Sequence, residues 1–332
     1  MNYKIFSNNY NSQTGLGKQT ISLKNQLKYP LYLKKTYDDL SKIKNRNIFN
    51  ICYFIVSSFI SIGNKDKIIS MSVVSPLNSH AVHFSSCHLY ALKNIYKYFF
   101  FRLFLNPLNI FYTFLEFLHY KNKNSINIFL SNIEKQRFES VYGPSQASYK
   151  VIRPKLVDNF YNFKKEKFIN GKQFIISSHN FKLKGGETIN NLAKCFPQCT
   201  FTIIGDKKNA IKLENIVTLG YQNISSFSFE KYNIFIYPSK LDSHSFSLEE
   251  AFINGLIPIT SNKVGFSEFI GKYKLINKYL IHKSNSWDIF LNEFLNINDH
   301  KLNLLRNELA KARADWLKRD IKNEYFNKGI TV

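Results

Sequence analysis

The stretch YPSKLDSHSFSLEEAFINGLIPITS, Tyr237 to Ser261, reads as a strand, a loop, a helix and a second strand. Its loop is rich in small hydroxyl residues and leads into the helix, which ends near Gly255 before Pro258. Backbone N–H groups and the positive end of a helix dipole bind anions at such a loop. Asp242 and Glu250 place a carboxylate on each side, and carboxylates accept hydrogen bonds from sugar hydroxyls. The stretch therefore predicts a ligand with central phosphates and a sugar at each end, such as a nucleotide diphosphate sugar.

The whole chain has the composition of a globular protein with a large basic excess. Its 332 residues are 44% hydrophobic and 16% aromatic, and this length predicts two domains. The net charge is +23, and residues 1–155 hold 21 lysines and arginines against six acidic residues. This excess predicts an anionic partner: nucleic acid, an anionic membrane surface or a phosphorylated small molecule. The four cysteines lack CxxC spacing and a nearby histidine pair, so we expect reduced thiols and no metal site.

Strand-like and helix-like segments alternate along both halves of the chain. In the first half, YKIFSNN, SHAVHFSS and NSINIFLSN read as strands, TGLGKQTISLKNQL as a glycine turn leading into a helix, and NIFNICYFIVSSF as another strand. In the second half, KQFIISSH, CTFTIIGD, NIVTLGY and YNIFIYPS read as strands, and GGETINNLAKCFP as a helix. Such alternation predicts parallel sheets. We therefore expect an α/β protein with two doubly wound, Rossmann-like domains that face a cleft.

The opening stretch resembles the signature of retaining GT-B glycosyltransferases of family four, in which two acidic residues separated by seven others precede Ala, Gly and Pro. The resemblance implies that Glu250 accepts hydrogen bonds from the ribose of the donor nucleotide. It also implies that Asp242, in place of the usual Glu, lies near the donor sugar. The loop between them is expected to bind the donor through Ser243, His244, Ser245, Phe246 and Ser247.

Further donor-binding residues follow from the same resemblance. FIISSHNFKLKGG resembles the first strand and turn of the family's nucleotide domain, where basic residues reach the diphosphate, and Lys184 and Lys182 match this role. TGLGKQT resembles the glycine turn by which the first domain approaches the diphosphate, which implies this role for Gly15 and Gly17; a plain turn is the alternative. The family often has a histidine near the donor sugar, for which His83 is the candidate and a structural histidine the alternative.

The resemblance implies a glycosyltransferase with an acceptor-side domain over residues 1–155, a donor domain over 156–312 and a C-terminal helix over 313–332 that crosses back. We expect transfer of a sugar from a nucleotide diphosphate sugar to a glycan or lipid-linked acceptor, in bacterial surface polysaccharide or lipopolysaccharide synthesis. The expected catalytic residues are Asp242, Lys184 and His83. Anomeric configuration is expected to be retained, without cofactor or metal. Two alternatives stay open: a nucleic-acid-binding protein, and another enzyme on this scaffold such as a nucleotide-sugar epimerase.

An aromatic and basic run occupies residues 89–124. Its cations, which interleave with Phe, Tyr and Leu, are Lys93, Lys97, Arg102, Lys121 and Lys123. This is the composition of an interfacial segment, with a pair of core helices as the alternative. No apolar run reaches the length of about 20 residues that spans a bilayer, and the first residues do not read as a signal peptide. We therefore expect a cytoplasmic protein, held peripherally at the inner face of the cell membrane by a salt-sensitive attachment.

Overall fold

The chain divides into two compact α/β units. A computed structural model describes residues 3–10, 15–61, 66–96, 98–156, 172–178, 180–205, 209–222, 227, 229, 232–283 and 286–325. Unit 1 comprises residues 1–157 and 320–332, and unit 2 comprises residues 158–319. The described strands of each unit form one parallel sheet.

Unit 1 has the sheet order β1-β2-β3-β4-β5. Its elements are β1 (Tyr3–Phe6), α1 (Gly15–Leu27), α2 (Lys34–Leu40), α3 (Arg46–Ser61), β2 (Lys67–Ser70), β3 (Ala81–Phe84), α4 (His88–Ile95), α5 (Phe99–Leu105), α6 (Pro107–Lys121), β4 (Ile126–Phe129), α7 (Asn132–Tyr142), β5 (Tyr149–Val151) and, near the end of the chain, α14 (Ile321–Tyr325). In α14, Ile321 and Tyr325 pack in the same core cluster as Ile5 and Ile128.

The connectivity of unit 1 reverses direction at β1. On one side, β1 pairs with β2, with Tyr3 opposite Lys67. On the other side, Ile5 forms an isolated parallel bridge with Leu31, and the N–H of Tyr32 donates to the carbonyl of Ile5 over 2.6 Å. The chain therefore leaves β1 toward one edge and returns toward the other, which is doubly wound connectivity.

The segment NIFNICYFIVSSF, which the sequence predicts to be a strand, is helical and lies within α3. Its aromatic and β-branched residues favour a strand by local preference. Phe49, Tyr53 and Ser57 nevertheless recur every four residues and are all buried, which is the pattern of a helix with one face against the core. The strand prediction was wrong because it weighed residue types and not this helical period.

Unit 2 has the sheet order β8-β7-β6-β9-β10-β11. Its elements are β6 (Gln173–Ser178), α8 (Gly186–Cys195), β7 (Thr200–Gly205), β8 (Ile216–Gly220), β9 (Ile234–Tyr237), α9 (Phe246–Ile253), β10 (Ile257–Ser261), α10 (Ser267–Ile270), α11 (Lys274–Tyr279), β11 (Ile281–His282), α12 (Trp287–Leu295) and α13 (Asp299–Leu317). Every residue of β9 and β10 is buried, as expected when both faces of a parallel sheet are covered.

The strand order of unit 2 reverses between β6 and β9. The first strand of the unit, β6, pairs with β7 on one side and with β9 on the other. In open α/β sheets, ligands bind beyond the carboxyl ends of the strands at such a switch point. The loops after β6 and β9 are therefore where unit 2 is expected to bind a ligand.

These two loops approach each other closely at Gly185. Its φ of +82° is left-handed, and a Cβ atom there would lie 2.2 Å from the carbonyl oxygen of Pro238. The N–H of Lys240 also donates to the carbonyl of Leu183 over 2.9 Å. Glycine at this position is what allows the backbones to make contact.

We expect Gly185→Ala to destabilise unit 2 more than Gly255→Ala does. Gly255 also has a left-handed φ, of +92°, but nothing lies within 4 Å of a Cβ there, so its substitution carries only the backbone cost of about 1–2 kcal/mol. Gly185→Ala adds a clash with Pro238, which costs about 2 kcal/mol more. Urea unfolding of both variants measures the difference, and equal losses would contradict the close contact.

Candidate functional site

The loops after β6 and β9 are joined by an ion pair at the switch point. The Nζ atom of Lys184 lies 2.5 Å from Oδ2 of Asp242, and the hydroxyl of Tyr237 donates to the same oxygen over 2.8 Å. The backbone N–H of His244 donates to Oδ1 over 3.2 Å. Both carboxylate oxygens of Asp242 therefore have donors, and the carboxylate holds the Lys184 ammonium in place.

The surroundings favour the charged forms of this pair. Burial alone would raise the pKa of Asp242, but the Lys184 ammonium and the hydrogen bonds outweigh it, so this pKa lies below its ordinary value. Burial likewise opposes the charge of Lys184, and the Asp242 carboxylate outweighs that effect, so the lysine pKa lies above its ordinary value. Burial, together with the same carboxylate, raises the pKa of Tyr237 to about 12. At neutral pH the cluster holds an ammonium, a carboxylate and a neutral phenol.

The loop after β9 turns sharply into α9. Ser245 is the N-cap residue, and its φ of +74° is a left-handed conformation that residues with a Cβ rarely adopt. Its hydroxyl accepts a hydrogen bond from the N–H of Leu248 over 3.3 Å, which satisfies one donor of the first helical turn. Ser243, Phe246 and Ser247 are half-buried around this helix start. The dipole of α9 favours an anion there.

Three buried side chains form a hydrogen-bonded group beneath this loop. Glu249 accepts from the indole N–H of Trp316 over 3.0 Å and lies 2.8 Å from Nε2 of His244. Each of the three is at most 1% exposed. Nδ1 of His244 has no hydrogen-bond partner among the described residues, so the ring is held through its contact with Glu249. Because the backbone N–H of His244 also holds Asp242, this group supports the ion pair.

The helix α13 also supports the far end of α9. Arg313 is 1% exposed and donates from Nε to the carbonyl of Phe252 over 2.7 Å and from Nη2 to that of Leu256 over 3.0 Å. Carbonyls at the C-terminal end of a helix lack intrahelical donors, and a cation there is favourable for the dipole. Through Arg313 and Trp316, α13 therefore fixes α9 at both ends.

The structure brings Lys184 and Asp242 together, and it gives the other predicted donor-binding residues of unit 2 different surroundings. Lys182 is exposed on the same loop as Lys184. Glu250 lies on α9 with 3% of its surface exposed. The ring of His244 is buried, so its backbone N–H, and not its imidazole, takes part in the ion-pair cluster.

The predicted residues of unit 1 lie inside its core or within a helix. The ring of His83 is buried, with Nε2 2.7 Å from the hydroxyl of Tyr325 and Nδ1 3.4 Å from Nε2 of Gln19. Burial lowers the pKa of His83 to about 3, so the ring is neutral. These contacts favour the structural alternative for this histidine. Gly15 and Gly17 fall within the first turn of α1, so the predicted glycine turn is part of the helix.

Sequence patterns do not reveal several residues of the cluster. Trp316 lies 67 residues from Glu249 along the chain, and Arg313 lies 61 residues from Phe252, distances that no local motif covers. For Tyr237 a signal exists, because an aromatic hydroxyl ends the strand just before the acidic loop. Over the part of the chain that the structure describes, no three His, Cys, Asp or Glu side chains are grouped to hold a metal ion.

Comparison with known proteins identifies the fold. No protein-family model and no curated protein matches the sequence. Among solved structures, the chain is similar to WaaG, a glycosyltransferase involved in lipopolysaccharide biosynthesis, with a TM-score of 0.70, 11% identity and 98% of each chain covered. It is similar to Anabaena HepE in complex with UDP-glucose, with a TM-score of 0.65, 13% identity and 98% of each chain covered. The chain has the GT-B fold.

A third GT-B structure matches a smaller share of its own chain. TarM is similar with a TM-score of 0.59 and 16% identity, over 86% of this chain and 58% of TarM. At these identities the likeness is one of fold. The expected GT-B architecture, with two α/β units of parallel sheet, is confirmed.

We expect Glu249→Ala to lower the free energy of unfolding by about 3 kcal/mol. The substitution leaves the indole N–H of Trp316 and Nε2 of His244 without their buried acceptor, and each such loss costs about 1–3 kcal/mol. Glu249→Gln is the matched control, because its amide oxygen still accepts from Trp316, and its loss should be about half as large. Chemical denaturation followed by tryptophan fluorescence measures both values. A Glu249→Ala variant as stable as the parent would show that this group does not support α9.

Proposed function

We propose that this GT-B protein is a glycosyltransferase whose donor is a nucleotide diphosphate sugar. The proposal rests on one observation: Asp242 holds the Lys184 ammonium at the switch point, beside the N-terminal end of α9. A cation and a helix N-terminus that converge at one place form a site for the two charges of a diphosphate. The HepE structure, with its bound UDP-glucose, is consistent with a donor of this class on the same fold.

The reaction requires stabilisation of the leaving diphosphate. As the bond from the anomeric carbon to the diphosphate oxygen breaks, negative charge grows on that oxygen. Lys184 keeps its proton at neutral pH and its side chain is 22% exposed, so it is able to stabilise this negative charge as a permanent cation. The dipole of α9, whose N-terminal end follows the same loop, favours the same negative charge. Preorganised donors of this kind raise the rate because charge develops in the transition state and not in the bound substrate.

Asp242 acts in this proposal through Lys184. Its two oxygens already accept from Lys184, Tyr237 and the backbone of His244, and its side chain is 14% exposed. A direct bond to the donor sugar would compete with these three donors. We therefore assign Asp242 to positioning the lysine, and Glu250 to the ribose, as the resemblance to family four implies.

The acceptor, the anomeric outcome, the independence of metal and the location are also proposals. We propose transfer to a glycan or lipid-linked acceptor, with retained anomeric configuration and without a metal, at the inner face of the cell membrane. The description of WaaG as a glycosyltransferase of lipopolysaccharide biosynthesis supports an acceptor of this class. A surface polysaccharide or lipopolysaccharide would then be the product.

A nucleic-acid-binding protein is the second candidate, because the net charge of +23 favours any polyanion. A panel of UDP-, GDP- and ADP-sugars, screened by thermal unfolding, separates the two. A donor at about 100 times its Kd stabilises the folded state by about 2.7 kcal/mol, which raises Tm by about 5 °C or more. Absence of any shift, together with oligonucleotide binding that weakens steeply with salt, would favour the second candidate. Product analysis then distinguishes transfer from epimerisation.

We expect Lys184→Ala to lower kcat for donor hydrolysis about 100-fold while donor Kd changes less than about tenfold. The reason is that negative charge on the diphosphate, which Lys184 stabilises, grows as the diphosphate leaves. Lys182→Ala is the matched control, since this lysine is exposed on the same loop, and its effect should stay within about threefold. Thermal unfolding checks that each variant is folded. Equal losses in kcat and affinity would make Lys184 a ground-state contact only.

A further inference from the structure

The helix α3 has large apolar residues on its outward face as well as on its buried face. Its outward face contains Ile48, Ile55 and Phe59, and Phe59 is 71% exposed. Its buried face contains Asn50 and Ser57, in addition to aromatic residues. A surface helix of a water-soluble protein instead has polar residues outward. The outward face of α3 is therefore suited to contact an apolar medium.

The helix α6 likewise exposes large apolar residues, with α5 beside it. Ile110, Phe114 and Phe117 are exposed on α6, whereas Glu116 and His119 of the same helix are buried. In α5, exposed aromatic and aliphatic residues are frequent; they are Phe100, Phe101, Phe104 and Leu105, the last being 80% exposed. Single exposed apolar residues are common, but grouping on neighbouring helices marks an interaction surface.

The exposed residues of α3, α5 and α6 form one surface, which we call the apolar face. Its two parts are joined by side chains of α3 and α6: the rings of Phe54 and Phe111 lie 5.7 Å apart, and Nδ2 of Asn50 donates to the hydroxyl of Tyr112 over 2.6 Å. The helices α5 and α6 are in turn packed against each other. The apolar face lies entirely within unit 1.

Buried hydrogen bonds hold α3 and α6 in the orientation that leaves these apolar residues exposed. Glu116 accepts from the backbone N–H of His88 over 2.6 Å and from the hydroxyl of Tyr142 over 2.9 Å. Tyr53 donates to the carbonyl of Ser7 over 3.2 Å. Rotation of α3 or α6 to bury its apolar side would break these buried hydrogen bonds, which is costly. The exposure of the rings is therefore a fixed property of the fold.

The charge around the apolar face complements an anionic surface. Residues 42–61 contain three basic residues and no acidic one. Residues 88–124 contain five basic residues and one acidic residue, Glu116, which is 1% exposed. Lys93 and Lys123 are exposed. Lys97 of the predicted contact segment lies outside the described residues. Within these two segments, exposed rings and exposed lysines occur without an exposed carboxylate, and these are the features of an interfacial membrane site.

We propose that the apolar face docks unit 1 on an anionic lipid bilayer, with α3, α5 and α6 lying in the interface and their exposed rings inserted among the lipids. No helix among the described residues is both long and apolar enough to cross a membrane. The sequence predicted contact through residues 93–123 and a salt-sensitive attachment. The structure adds α3 to this surface, and insertion of apolar side chains leaves a part of the binding that salt does not remove. Docking on a bilayer gives a surface to the membrane location that is part of the proposed function, but it requires no sugar transfer, so vesicle binding and transfer activity are tested separately.

The test is co-flotation of the full chain with vesicles of equimolar phosphatidylglycerol and phosphatidylcholine. We expect binding at low salt and substantial residual binding at about 1 M NaCl, where the Debye length is about 3 Å. Replacement of two exposed residues of α3, in the variant Ile55→Asn with Phe59→Asn, should weaken binding about tenfold at both salt concentrations. A second variant, Phe101→Ser with Phe104→Ser in α5, should act in the same way. Thermal unfolding of both variants checks the fold.

The matched control is Ile289→Asn, which replaces a residue that is 58% exposed on α12 of unit 2 and should leave vesicle binding unchanged. Lys93→Gln with Lys123→Gln should weaken binding at low salt only. Vesicle binding that both apolar variants retain in full would overturn the proposal. So would a parent protein that ignores vesicles but forms a dimer that the apolar variants dissociate, because a second copy of the chain would then cover the face.

Discussion

The carboxylate of Asp242 is the constraint on which the functional end of unit 2 depends. It accepts from the β6 loop through Lys184, from the end of β9 through Tyr237, and from the start of the α9 turn through the backbone of His244. Tyr237 and His244 belong to the same strand and loop as Asp242, and the β6 loop reaches them because β6 and β9 are neighbours in the sheet. Because the two loops are adjacent, the carboxylate is able to hold the Lys184 ammonium in place. A buried carboxylate without such donors would lose its charge, and the lysine would lose its position.

A second layer of contacts makes this arrangement rigid. Two backbone positions at this site are unusual. Gly185 allows the close contact with Pro238, whereas Ser245 is a left-handed residue with a Cβ, which is strained and needs support from the surrounding structure. Trp316 and Arg313 give that support from α13, through buried hydrogen bonds to Glu249 and to the carbonyl of Phe252 in α9, the helix that begins at the Ser245 loop. In the proposed mechanism, a donor binds to groups that are already placed. Little reorganisation energy is then needed as charge develops on the diphosphate.

The local sequence is more informative about the loop before α9 than about the surface of unit 1, for physical reasons. Asp242 and Glu250 lie within one strand-loop-helix segment, whose local pattern reports its structure directly. The support by Trp316 depends on tertiary packing and leaves no local trace. In α3, apolar residues occupy the outside as well as the inside, which hides the helical period and imitates a strand. His83 has the strand-end position of a ligand-binding residue, but only the fold shows that Tyr325 covers it.

The position of α14 has a consequence for the order in which the protein folds during synthesis. The hydroxyl of Tyr325 lies against His83, 242 residues earlier in the chain, and Ile321 fills the same unit 1 core as Ile5. The ribosome completes the described strands of unit 1 before it makes unit 2, yet α14, which packs in the core of unit 1, is made only after unit 2. The core of unit 1 is therefore completed only after unit 2 has been translated, and until then Tyr325 does not cover His83. Contacts so distant along the chain form slowly, and this incomplete core is the state that translation exposes longest to aggregation.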